Sequence, residues 1–231
     1  MNLKLIITDA LFFFRTHLVK IASLCMPWLL AIALVEYLVI ITSDPSQEAG
    51  PLPLIGWAFK LLVYPIYTGA LILLMARRAQ REMPANSELL SSAIQIWQPL
   101  FILHILMAGI LVPGVLFVLQ GWVFFIIPII YVAVRLSFAE FYLVLEGVKP
   151  LEAIRMSFKA TQPYFFQIFF LLTIFVMPLL SLEIIRLNFL AGPEIDPLVN
   201  VLVATVMTFF SLFVDVLLFR TYMSATQEQP K

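Results

Sequence analysis

Cysteine is almost absent from these 231 residues: Cys25 stands alone inside an apolar run, so no internal disulfide framework forms and a structural metal site has too few ligands. Histidine is nearly as scarce, with His17 and His104 the only two. The chain has no His-Glu metal pattern on one helix face, no phosphate-cradling glycine loop and no Ser or Cys nucleophile beside a base. The expectation is a non-enzymatic chain with no cofactor, no metal and no catalytic residue. Charge is the third shortage. Only 12% of residues are charged, against about 25% in a soluble domain. The 14 basic residues balance the 14 acidic ones, and no nucleic-acid partner is expected.

Hydrophobic residues fill the space, at 62% of the chain with a mean hydropathy of +1.02. They fall into six apolar stretches of about 20 residues, the length of a helix that crosses a bilayer. The spans are placed near Leu18 to Thr42, Leu54 to Met75, Leu100 to Leu119, Val123 to Leu143, Tyr164 to Leu182 and Leu198 to Tyr222. The expected fold is therefore all-α, a single polytopic membrane domain of three hairpins, with no room for a separate water-soluble domain. Apolar residues run almost unbroken from Leu100 to Val134, too long for one span. Gln120-Gly121 is the polar, turn-permissive break, with Trp122 placed at headgroup level. Pro113-Gly114 is read as a kink, since a turn there leaves a third helix of only about 14 apolar residues.

Lys4, Arg15, Lys20, Arg77, Arg78, Arg81, Lys149, Arg155, Lys159, Arg220 and Lys231 all fall on one side of these spans. The opposite loops hold Arg186 against Asp44, Glu48, Glu183, Glu194 and Asp196. The positive-inside rule then makes both termini cytoplasmic. Asp9 and Arg15 interrupt the first apolar run and no small-residue cleavage pattern follows, so the N-terminus is expected to be retained.

Three segments between spans are amphipathic and are expected to lie along the membrane surface. In 151–160, Leu151, Ile154 and Phe158 oppose Glu152, Arg155 and Lys159, with Pro150 at the first turn. In 87–98, Leu89, Leu90, Ala93, Ile94 and Trp97 oppose Glu88, Ser91, Ser92 and Gln95; in 2–16, Ile6, Ala10, Phe13 and Phe14 oppose Asp9 and Arg15. Asp9-Ala10-Leu11, Ser92-Ala93-Ile94 and Glu152-Ala153-Ile154 each precede a two-span hairpin, the order of a divergent threefold repeat or of unrelated amphipathic helices.

Ionisable residues inside spans cost about 2.5–3.5 kcal/mol each on insertion scales, so each one asks for a reason. Glu36 and Lys60 sit at matching depths on helices joined by one loop, where an ion pair that fixes the hairpin, a substrate or proton site, and snorkelling to the surface all fit. Arg135, Glu140 and Asp215 approach the cytoplasmic ends of spans four and six, and Arg135 with Asp215 is the expected cross-helix pair. His104 is expected to be a hydrogen-bonded interior residue. Arg77, Arg78, Arg81, Arg155 and Lys159 could recruit anionic lipid headgroups at about 1 kcal/mol per residue, although topology alone predicts the same charges.

An ordered set of short motifs adds to this: Asp9 with Phe13-Phe14-Arg15, Gly69-Ala70-Leu71-Ile72, Pro128, Glu152-Ala153 with Met156-Ser157, and Leu218-Phe219-Arg220 with Tyr222-Met223. In these the chain resembles, end to end, the YciC-type family of bacterial inner-membrane proteins. More distantly it is similar to the membrane domains attached to some glycerophosphodiester phosphodiesterases. The resemblance implies a six-span inner-membrane protein of a Gram-negative bacterium and supplies no biochemical activity. Ile129 stands where the family usually has glycine, and Glu140 where it has an apolar residue or proline. The functional expectation is a non-catalytic inner-membrane protein that acts in envelope organisation through lipids, a membrane-protein partner or a second copy of itself. A small transporter or lipid-translocating protein built on the intramembrane charges is the alternative.

Overall fold

A chain this apolar must satisfy its backbone within its own segments, and helices do so wherever lipid replaces water. The computed structural model describes residues 2–42, 52–189 and 196–228, and among these it has nine α-helices, one 3-10 turn and no strand. They are α1 (Leu3–Thr42), α2 (Leu52–Ala79), α3 (Asn86–Gln95), α4 (Trp97–Leu119), a 3-10 turn (Val123–Phe125), α5 (Ile126–Leu136), α6 (Ala139–Glu146), α7 (Pro150–Thr161), α8 (Phe165–Phe189) and α9 (Pro197–Glu228). Six helical stretches are long and apolar enough to cross a membrane. The most hydrophobic window of α2 is 56% buried, whereas those of α4 and α8 are 11% buried, so α2 is the hub and the other two face outward. Val19, Trp57, Phe12 and Phe166 are among the large apolar side chains left on the outer surface, as a lipid solvent requires.

The turn after α4 falls at Gln120-Gly121, with Gly121 at φ 92°, a region that favours glycine. Pro113 stays inside a continuous α4. Beside it, a Cβ on Gly114 would lie 2.7 Å from Ile129 Cγ1, so α4 and α5 meet through a glycine on one side and a β-branched side chain on the other. Gly114 thus provides the space that Ile129 fills.

One expectation is corrected. Residues 2–16 do not form a separate surface helix: α1 runs unbroken for 40 residues, about 60 Å at 1.5 Å per residue, twice the hydrocarbon thickness. Its inward face is the expected one, with Ile6, Ala10, Phe13 and Phe14 buried and Asp9 and Arg15 exposed. That face packs on α9, where Phe14 meets Phe213 edge-on at 5.6 Å and the Arg220 guanidinium lies 5.1 Å from the Phe13 ring. Packing against α9, rather than a membrane surface, keeps the helix continuous.

The fourth span forms where expected, over Val123–Glu146. It is broken at Ser137-Phe138 into α5 and α6. The break is closed by Ser157 of α7, which is fully buried: its hydroxyl accepts from Phe138 N at 3.1 Å and donates to Arg135 O at 2.6 Å. Ser137 Oγ donates to Val134 O at 2.8 Å. Backbone groups freed at the break are thereby paired. Helices form over the expected segments 87–98 and 151–160 as α3 and α7, although α3 ends at Gln95, Trp97 opens α4, and Ile94 and Leu151 are exposed. Ala10, Ala93 and Ala153, the alanines of the three repeat motifs, are each fully buried.

Candidate functional site

One face of α2 carries Lys60, Tyr64, Tyr67, Thr68 and Leu71, residues at helical spacings that share one side. This stripe is polar through an otherwise apolar hub, and two chambers open along it. The larger is a cavity of about 470 Å³ between α2, α4, α5, α6, α8 and α9. Its lining is mostly apolar, with Tyr64 and Thr68 from α2, Ser137 between α5 and α6, Glu140 from α6, Thr173 from α8 and Asp215 from α9 as its polar points. Met177 and Leu180 of α8 line it and are also about half exposed, so its wall reaches the outer face of the bundle.

The break in the fourth span sets the geometry here. It starts α6 at Ala139 and places Glu140 in that helix's first turn, where the helix dipole favours a carboxylate. Glu140 Oε1 meets His104 Nε2 of α4 at 3.0 Å, in a site where the His104 side chain is 9% exposed. The Tyr64 ring stands edge-on to His104 at 4.8 Å, and His104 Nδ1 is buried without a hydrogen-bond partner. Among the described residues, Asp215 has no hydrogen bond or ion pair.

The expected Arg135–Asp215 pair does not form. Arg135 is buried, with its guanidinium 5.3 Å from the Phe158 ring and 5.7 Å from the Tyr131 ring, and its Nε has no partner. Those rings hold the cation against α7, away from the cavity that receives Asp215. His104 is the hydrogen-bonded interior residue that its position led us to expect, with Glu140 as the partner that sequence reasoning missed.

The second chamber, about 420 Å³, lies toward the other end of the stripe and is lined by Glu36, Lys60, Tyr67, Glu183, Arg186 and Thr208, among others. Glu36 and Lys60 do pair, Oε1 to Nζ at 3.7 Å, with side chains 37% and 42% exposed. Arg186 is not in a loop: α8 runs on to Phe189, and the Arg186 side chain, 12% exposed, donates to Glu183 Oε2 at 2.9 Å and to Asn200 Oδ1 of α9. This cluster was missed because Glu183 and Arg186 lie beyond the predicted end of span five, while Tyr67, Thr208 and Asn200 carry no charge. The Tyr64 and Tyr67 rings, edge to face at 5.4 Å, stand where the two chambers approach each other, Tyr64 lining one and Tyr67 the other.

Of the basic residues proposed to meet lipid headgroups, Arg77 bonds Glu82 at 2.7 Å and reaches Glu88 at 3.9 Å, while Arg78 follows it in the last turn of α2. Arg81, at φ 63°, turns the chain toward α3. Arg155 and Lys159 line a shallow surface groove on α7 with Lys149 and Glu152. Asp44, Glu48, Glu194 and Lys231, which entered the charge-sidedness argument, lie outside the described residues. Among the described residues no group of three or more His, Cys, Asp or Glu side chains could hold a metal ion.

The chain is a polytopic, all-helical membrane protein whose core holds a cavity with two carboxylates and, beyond two tyrosines, a charged cluster. Comparison with protein-family models, with curated proteins and with solved structures yields no match for it.

Proposed function

We propose that this protein is a non-catalytic carrier of amphipathic molecules in the bacterial inner membrane, a YciC-type protein with both termini cytoplasmic, and that it serves envelope organisation by handling lipid-like molecules. The single observation that carries this reading is the pair of chambers along one face of α2, divided by Tyr64 and Tyr67. A purely architectural helix bundle gains nothing from a cavity of about 470 Å³, because each unfilled methylene-sized space costs packing energy. The volume suits a drug-sized or single-chain amphiphile, and such pockets pair an apolar lining with a few placed polar groups. The half-exposed Met177 and Leu180 offer entry from the lipid side. Basic residues at the ends of α2 and on α7 would hold the protein against anionic headgroups.

The test is reconstitution into vesicles that contain a headgroup-labelled fluorescent phospholipid. Movement of label between leaflets should be faster than in empty vesicles and should fall in Ala133→Leu, which fills the cavity wall. Mass spectrometry of lipids and proteins co-extracted in native lipid discs supplies the second readout. A stoichiometric protein partner, with no enriched lipid and no leaflet exchange, would replace the carrier reading with an accessory role.

A further inference from the structure

Resting on the carrier reading, we propose that the cavity takes a lipophilic organic cation, a protonated amine or quaternary ammonium with an apolar body. Both charged side chains that line it are acids, Glu140 and Asp215, and no Lys, Arg or His lines it. Arg135, the basic residue nearest in sequence to Glu140, is spent on the Phe158 and Tyr131 rings. His104 meets Glu140 from behind at 3.0 Å and leaves Asp215 untouched. The lining thus offers carboxyl groups and no basic group to a low-dielectric space, where the charge complement is a cation.

The shape of the charge matters as much as its sign. A small inorganic cation needs several oxygen ligands at short range; here the two carboxyl groups stand with four hydroxyls, of which Thr68 and Ser137 already donate to backbone carbonyls, in a wall dominated by Leu, Ile, Val, Met and Phe side chains. An organic cation spreads its charge over an apolar body that such a wall accepts, and the rings of Tyr64, Phe141 and Phe169 add the aromatic surface that binds quaternary ammonium groups. Met177 and Leu180 place the entrance where a membrane-partitioned amine already resides.

Equilibrium binding of tetraphenylphosphonium to the protein in lipid discs, corrected with empty discs, tests the assignment. Tetraphenylborate, its anionic counterpart of the same shape, is the comparison probe. Saturable binding of the cation is expected, with tetraphenylborate failing to bind. Asp215→Asn should weaken cation binding about tenfold and Asp215→Glu should retain it. Asp215→Asn is close to isosteric, and Glu140→Gln, equally so, is the alternative should Asp215→Asn be recovered unfolded. If the two probes bind alike and Ala133→Leu weakens both, the cation assignment is overturned and the carrier reading survives. If neither probe binds saturably and leaflet exchange is also absent, both fall. Cation binding that is unchanged in Asp215→Asn and Glu140→Gln overturns the assignment on its own.

Discussion

Removing the Ser157 hydroxyl should destabilise the protein by about 2 kcal/mol, because two backbone groups lose their partner together. Ser157 Oγ accepts from Phe138 N at 3.1 Å and donates to Arg135 O at 2.6 Å, across a break that has no helical bond to offer in exchange. A buried unpaired group costs about 1–3 kcal/mol each. Side-chain bonds between membrane helices average nearer to about 0.6 kcal/mol, since the unfolded chain in lipid finds other partners. Twice the lower figure is a floor of about 1.2 kcal/mol, and the full burial of Ser157 keeps water from softening the loss. Reversible unfolding in mixed micelles, followed by steric trapping, measures the change for Ser157→Ala. Ser181→Ala is the control, since Ser181 is exposed and bonds only within its own helix, to Met177 O at 2.9 Å. Because the break also places Glu140, Ser157→Ala should weaken tetraphenylphosphonium binding while Ser181→Ala leaves it alone. A change below about 0.5 kcal/mol for Ser157→Ala would refute the claim that α7 holds the break shut.

Gly114→Val should cost about 1–3 kcal/mol by overpacking against Ile129, and the added change Ile129→Ala should recover part of it in a double-mutant cycle. Arg186→Met should destabilise by about 2 kcal/mol, leaving Glu183 and Asn200 unpaired, whereas Glu36→Gln in the half-exposed Glu36–Lys60 pair should cost less than about 1 kcal/mol; the same unfolding assay ranks them. Trp97→Phe keeps the stack on Phe101 but loses the 2.8 Å bond from Nε1 to Leu62 O beside Pro65, for an expected loss of about 1 kcal/mol. A reporter active only in the periplasm should report when fused after Ser46 and stay silent after Arg81, and the reverse pattern overturns the assigned orientation.

The six spans were legible because hydropathy and length carry that information locally. The turn at Gln120-Gly121 was readable for the same reason, since it is the only polar, turn-permissive break in its run. The break at Ser137-Phe138 was not. Ser137 and Phe138 are ordinary in a membrane helix, and what opens the helix there is a hydroxyl arriving from Ser157, a tertiary contact with no local signature. Glu36 with Lys60 could be read from depth alone, because one short loop joins their helices. Asp215 could not be matched in this way: its depth suits Arg135 equally well, and only the azimuth of each helix sends Arg135 to Phe158 and Asp215 into the cavity. The polar stripe from Lys60 to Thr68 was available in the sequence at spacings of four, seven and eight, and points to the cavity once tyrosine and threonine are counted as polar members of a span.

The bond that closes the fourth span also orders events at the ribosome. Arg135 and Phe138 leave the exit tunnel 22 and 19 residues ahead of Ser157. At about 5–20 residues per second, the break stays open for about one to four seconds after it has been synthesised. During that interval the start of α6 and its Glu140 can exchange with water at the insertion channel. The break is therefore held only once α7 has been made, and the cavity around Glu140 is enclosed later still, when α8 and α9 supply the rest of its wall.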